Sequence, residues 1–341
     1  MSAVEQQPRL EAHEPPEARG VPRDSVLLLV SSRRKESIVH SRFRDLPQFL
    51  APGDLLVVNT SDTLPASVPA TRANGAELEL RFSTPAPGRD PDSYWIVELR
   101  RDDEPFGTVE VGEELVLPAA ARARILAPYA APRLWLARLD LPQALGAYLA
   151  EHGQPIRYGY VPQRWPLSAY RNVYAAEVGS AEMPSAGRPF TAELITRLVA
   201  GGVLVAPITL HTGVSSQEPH EPPYPERFRV PRHTASLVNA VHEWGGRVIA
   251  VGTTVARALE TVSQPDGRIA HDDGWTNLVV TLERGLWAVD GLLTGLHEPE
   301  SSHLEVLRAA AGKALLNRSY EAALERGYRW HEFGDSHLIL P

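Results

Sequence analysis

Gly252-Thr253-Thr254 stands where the apolar run Val248-Ile249-Ala250-Val251 gives way to Ala256-Arg257-Ala258-Leu259-Glu260, a helix-forming stretch. Strand, glycine turn and helix start together expose backbone amides at a helix N-terminus, and the two threonine hydroxyls beside them can complete a cradle for a phosphate or carboxylate. Arg257 lies one turn further in. The same spacing also serves as a plain tight connection, and neither G-x-G-x-x-G nor a phosphate-loop lysine accompanies it.

Nine of the twelve histidines follow residue 200. None of them pairs as H-x-x-x-H or H-E-x-x-H, the spacings that place two ligands on one helical face, so no metal site is expected. His211 and His297 stand out because each follows a predicted strand, where sites in α/β proteins gather. Ser185, Ser215, Ser216, Ser301 and Ser302 lack the G-x-S-x-G turn of a hydrolase nucleophile. Pro184-Ser185-Ala186-Gly187 reads as a distinctive loop, or as a turn ahead of the helix that Thr191 caps. With no cysteine in the chain, thiolate catalysis, disulfides and cysteine-ligated clusters are excluded.

These groups need a scaffold, and 341 residues, 43% of them hydrophobic, are enough for two packed units. The formal charge of −8 argues against non-specific duplex binding but leaves room for a local basic groove; with only Lys35 and Lys313 as lysines, positive charge rests on arginine. No apolar run reaches the roughly 20 residues that span a bilayer, and the start of the chain has no signal core, so a cytoplasmic protein without membrane contact is expected. Residues 1–22, rich in proline and glutamate, read as a mobile arm. Val26–Val30, Ser37–His40 and Leu55–Asn59 read as strands, with a short helix over Phe43–Leu50.

Between Leu64 and Leu139 come short strands separated by Gly, Pro and Asp, among them 77–82, 94–99, 108–111, 114–117, 122–126 and 134–139, which predict a small antiparallel β-barrel. After Leu141 helices at 145–152, 191–200, 233–244, 253–262, 300–311 and 320–326 alternate with strands at 203–210, 247–251 and 278–282. The expected architecture is therefore a discontinuous α/β layered domain, 23–62 and 155–341, with a β-barrel domain inserted at 63–154.

Several stretches then join into one pattern: Phe43-Arg44-Asp45-Leu46-Pro47 through Pro52-Gly53-Asp54 to Asn59-Thr60, Tyr170-Arg171-Asn172-Val173-Tyr174-Ala175, and Thr209-Leu210-His211. Val248 to Thr254 with Arg257 and Leu259-Glu260 continues it, and Tyr328-Arg329 with Phe333-Gly334-Asp335 ends it. In these the chain, from about Pro22 to Leu340, resembles the S-adenosylmethionine:tRNA ribosyltransferase-isomerase family of queuosine biosynthesis. The resemblance implies an α/β domain carrying an inserted barrel. It also implies transfer of the ribosyl part of S-adenosylmethionine to the aminomethyl group of a 7-deazaguanine base in tRNA. Rearrangement to an epoxycyclopentane follows, releasing adenine and methionine. S-adenosylmethionine is then a substrate and tRNA a partner.

By position in the matching motifs, His211 is the expected base or proton donor to adenine, and Asp335 or Glu300 the group facing positive charge. Thr253, Thr254 and Arg257 are expected to hold an anionic group; Gly252, Ser185, Ala186, Gly187 and His297 complete the expected binding set.

The chain departs from the family inside its signatures. P-T-A-G-L-H-F appears as Pro184-Ser185-Ala186-Gly187-Arg188-Pro189-Phe190, and L-H-V-G-A-G-T-F as Leu210-His211-Thr212-Gly213-Val214-Ser215-Ser216-Gln217. N-T-R-V-I-P-A-R becomes Asn59 to Ser67 without either arginine, which would weaken an RNA phosphate contact made there. T-N-F-H-L-P-x-S-T-L becomes Thr294 to His303, and S-Y-G-D becomes Glu332-Phe333-Gly334-Asp335. Three outcomes stay open from these residues: the family reaction on tRNA, a paralogue that uses S-adenosylmethionine with a small-molecule acceptor or alone, and a non-catalytic binding protein.

Overall fold

Leu55–Asn59 is buried along its whole length, as a strand covered on both faces must be. Leu55 and Val57 point into one apolar layer and Leu56 and Val58 into the other, the two-residue period of a strand. A computed structural model of the chain describes residues 10–129, 133–214, 224–297, 301 and 303–341. In it Leu55–Asn59 is the fourth strand of a nine-stranded mixed sheet, counted from the Asp272–Thr276 edge.

Leu204–Leu210 and Val248–Val251 flank it in parallel, and Gly291–Gly295 runs parallel beyond the latter. Ser336–Leu340 and the hairpin Leu27–Ser32/Ser37–Arg42 complete that side; Glu226–Val230 and Asp272–Thr276 complete the other. Helices Arg232–Glu243, Thr253–Thr261, His303–Ala311 and Lys313–Glu325 contribute to the layer holding Leu55 and Val57. Helix Ala192–Ala200, whose first turn is capped by Thr191 Oγ1 accepting from the Leu194 amide at 3.1 Å, packs against the opposite face.

Six strands close a barrel in the order Ser67–Thr71, Glu77–Pro85, Tyr94–Arg101, Leu134–Asp140, Arg122–Pro128 and Glu114–Val116. Val68, Ala70, Leu80, Phe82, Val97, Leu99, Ile125 and Ala137 pack its core. The chain leaves for the barrel from Ser61–Thr63 and returns through Glu177–Ser180, and these two short strands pair in parallel, so exit and re-entry lie side by side. Glu98, fully buried, accepts from Arg100 and Arg133, each at 2.8 Å; the Arg133 guanidinium also lies over the Tyr224 ring of the α/β body. The mixed α/β class with a barrel thus agrees with the sequence reading.

Four local expectations differ. Leu278–Leu282 is not a strand: Val280 is buried and Val279 exposed along an irregular wall, while the polar Asp272–Thr276 forms the edge strand there. An edge strand needs few apolar residues, so hydrophobic patterning passes over it. Thr108–Val111 has no ladder partner, and Phe43–Phe49 is a 3₁₀ segment around Pro47, which supplies no amide for a longer helix.

Residues 10–22, expected as a mobile arm, are packed against the body. The Ala12 amide donates to Trp330 O at 3.2 Å, the Trp330 amide donates to Leu10 O, and Glu17 pairs with the buried Arg188. Residues 1–9 lie outside the described part. No described helix is long and apolar enough to cross a membrane.

His337 lies fully buried in the last strand, its Nε2 2.8 Å from Ser31 Oγ. Burial pushes its pKa down to about 3, so it stays neutral in the fold and takes a proton only when the chain unfolds. The unfolded state therefore binds more protons below pH 6.5, and stability falls as pH drops from there toward the folded value. Urea titrations at pH 7 and pH 5 should show this histidine costing about 1.4 kcal/mol per pH unit below 6.5, and His337→Gln should remove that share of the slope. Equal slopes in the two proteins would contradict the assignment.

Candidate active site

A cavity of about 220 Å³ opens where the barrel meets the α/β body. Its floor is the carboxyl end of two neighbouring strands, at Val251-Gly252 and Thr294-Gly295, the place where open α/β sheets bind ligands. Ser83, Thr84 and Ile96 of the barrel form the opposite wall. The two units are tied there by the Val214 amide, which donates to Ser83 Oγ at 2.9 Å.

Gly252 has φ 101° and ψ 150°, a conformation that glycine adopts and other residues rarely do. A Cβ there would meet Ala186 Cβ at 3.4 Å and Thr254 Oγ1 at 3.3 Å. That turn lets the helix start at Thr253 with its first amides at the cavity, beside the loop of Ser185 and Ala186. Thr253 Oγ1 lies 2.9 Å from His303 Nδ1.

Arg257 also lines the cavity, yet its guanidinium is largely engaged. Nε donates to Leu278 O at 2.9 Å, Nη2 to Tyr224 O at 2.7 Å and Thr276 O at 3.0 Å, and Nη1 to Glu226. It therefore organises the wall and fixes Glu226, whose other oxygen accepts from the Gly213 amide at 3.2 Å. Burial pushes the Glu226 carboxyl up and the Arg257 guanidinium down, each opposed by the charge of its partner.

Glu182, Glu226 and Glu332 set three carboxylates in the described lining against this one guanidinium, so the cavity favours a cationic ligand. Flat rings cover another side. Tyr158 and Tyr160 stack at 5.7 Å and 11°, Tyr160 and His331 at 4.2 Å and 15°, His297 and His303 at 4.5 Å and 23°. His297 Nε2 is 3.0 Å from Thr294 Oγ1, and burial holds its pKa well below the ordinary imidazole range, so it is neutral. Among the described residues no group of three acidic or imidazole side chains has the disposition of a metal site.

Of the residues singled out in the sequence, Gly252, Thr253, Thr254, Arg257, Ser185, Ala186 and His297 meet in this cavity. Gly187 sits behind it against Tyr174 and Asn172. His211 is not among the residues lining the cavity: its Nδ1 is 2.7 Å from Ser61 Oγ, and the ring packs so close to Gly179 that no side chain fits there. Desolvation lowers its pKa, the nearby Arg227 and Arg229 adding to the effect against Glu177.

Asp335 is also placed elsewhere, its carboxylate accepting from the Leu27 and Arg329 amides at 2.6 and 2.8 Å, which joins the first strand to the last turn. Glu300 lies outside the described residues, as do Ser215, Ser216 and Gln217. Ser61 and Ser67, in the stretch where the family carries arginines, are 1% and 3% exposed and thus interior.

No sequence pattern marks Glu226, His303, Glu332 or the tyrosines as cavity residues. Glu332 and His303 do fall in signature stretches that depart from the family pattern, and that was the available signal. Glu226 begins a short polar strand after residues 215–223 and carries no local motif.

Comparison with known proteins gives a consistent picture. A family model described as "Queuosine biosynthesis protein" matches residues 5–339. The S-adenosylmethionine:tRNA ribosyltransferase-isomerase of Symbiobacterium thermophilum is 35% identical over 339 residues, covering 94% of each chain. That of Thermotoga maritima is 34% identical over 344 residues, 98% of this chain and 97% of its own. The crystal structure of S-adenosylmethionine tRNA ribosyltransferase from Thermotoga maritima aligns with a TM-score of 0.55 at 30% identity, covering 99% of this chain and all of that one.

The buried pair makes a direct test of the wall. Arg257→Ala leaves Glu226 without its countercharge and frees three carbonyls, which should cost about 3–5 kcal/mol in urea unfolding. Adding Glu226→Ala should recover part of the loss, since the stranded charge is gone. Strictly additive losses would show that the two side chains act independently.

Proposed function

We propose, because this chain belongs to the queuosine biosynthesis protein family, that it is an S-adenosylmethionine-dependent ribosyltransferase-isomerase. Its substrates on this reading are S-adenosylmethionine and a tRNA carrying an aminomethyl-7-deazaguanine base, and it works in the cytoplasm where charged and modified tRNA is found. The observation that carries the assignment to this cavity is its charge: three carboxylates in the lining and a helix N-terminus on the floor. S-adenosylmethionine is the complement, with a sulfonium and an ammonium against one carboxylate.

The amides of Thr253 and Thr254 hold the methionine carboxylate, which the helix dipole favours. Glu226, oriented by Arg257, faces the positive sulfur. The sulfonium acidifies the ribose C5′ hydrogens, and a cavity base must remove one so that adenine can leave. His303 takes this part in our reading, its Nδ1 tied to Thr253 Oγ1 and its ring stacked on the neutral His297. Loss of that proton breaks C4′–O4′, and the freed oxygen forms an aldehyde at C1′ as the C1′–N9 bond breaks and adenine leaves, taking up a proton. The acceptor amine adds to C4′ and gives up a proton, C5′ bonds to C1′, and the resulting alkoxide closes the epoxide on C5′ as the sulfur of methionine departs. His211 and Asp335, held in the framework, act on this site through the backbone they position.

Incubation of the purified protein with S-adenosylmethionine and tRNA bearing the deazaguanine precursor should release adenine and methionine, separable by chromatography. Release should depend on the RNA and fall at least about a hundredfold in Glu226→Gln and His303→Ala. Adenine release indifferent to RNA would move the reading to a small-molecule acceptor, and no release would leave a binding protein.

A further inference from the structure

The ring wall of the cavity ends in a carboxylate that the steps above do not use. Glu332 is half-buried, and its Oε2 accepts from the Tyr160 hydroxyl at 2.7 Å. Tyr160 lies between Tyr158 and His331 in a nearly parallel stack, which fixes the phenol and with it the carboxylate oxygen it donates to. His331, the residue before Glu332, has φ +70°, a left-handed backbone that histidine seldom adopts. The family's S-Y-G-D reads Glu332-Phe333-Gly334-Asp335 in this chain, so the acid is this sequence's own departure.

An ionised carboxylate accepts hydrogen bonds and gives none, so it selects a ligand edge with two adjacent donors. Adenine offers one amino group flanked by acceptors. A guanine-type base offers N1–H beside the 2-amino group, the match for two carboxylate oxygens. Enzymes that modify a base commonly read it out of its stack, on this edge and between flat side chains.

We propose that Glu332, anchored by Tyr160, binds the N1–H and 2-amino edge of the acceptor base and so selects a guanine-type acceptor in the same cavity. This rests on the proposed function. It adds which side chain discriminates the acceptor, and it separates that task from Glu226, which faces the sulfonium.

The test compares kcat/KM for two synthetic RNA stem–loops, one carrying 7-aminomethyl-7-deazaguanine and one carrying its analogue without the 2-amino group. Wild-type protein should prefer the first by roughly ten- to hundredfold, the worth of a hydrogen bond to a charged group. In Glu332→Gln, which can accept through only one atom, the ratio should approach unity. A general loss of activity cancels in the ratio. Tyr160→Phe keeps the carboxylate but removes its anchor and should narrow the ratio, giving a second variant should the glutamine protein fail to fold. An unchanged ratio in either variant overturns the assignment and leaves the proposed function standing. A wild-type protein that releases no adenine and modifies neither RNA removes both together.

Discussion

The buried Glu226–Arg257 pair is the constraint from which the shape of the cavity follows. Arg257 projects from the helix that starts at Thr253 and reaches the carbonyls of Tyr224, Thr276 and Leu278, so one side chain gathers a helix, a strand start and an irregular wall. Glu226 extends the connection to the Gly213 amide, one residue from the Val214 contact with barrel Ser83. A charge pair taken out of water is costly unless its remaining hydrogen-bonding sites are met. Here backbone carbonyls and an amide meet them, and the walls are fixed in doing so.

Glu260 performs a related task one turn later. Its carboxylate accepts from the amides of Trp287, Ala288 and Val289 and from Arg284, so the end of the same helix holds the chain that leads into Gly291–Gly295. The helix is thus anchored by a base at its middle and an acid in its last turn, and its N-terminus is left for the cavity. Framework charges of this kind occupy motif positions as readily as catalytic ones do.

That explains how much of the molecule was legible in the sequence. Fully buried strands such as Leu55–Asn59 announce themselves because both faces are apolar, and the barrel announces itself by its turns. Edge strands such as Asp272–Thr276 and the docking of residues 10–22 depend on partners far along the chain, which local pattern does not contain. Among the residues lining the cavity, Gly252 to Thr254 and His297 are legible because a strand end and a glycine mark them. His211 and Asp335 sit in equally well-matched motifs, but their contacts with Ser61 and with two backbone amides are tertiary facts. Glu226, Tyr160 and Glu332 reach the cavity only through folding.

The central claim is that the acidic cavity recognises a positively charged sulfur. Calorimetric titration of the protein with S-adenosylmethionine and, separately, with S-adenosylhomocysteine, the uncharged thioether of otherwise similar shape, tests it most directly. The sulfonium should bind more tightly by at least about tenfold, about 1.4 kcal/mol. Equal affinities, or no heat from either compound, would contradict it.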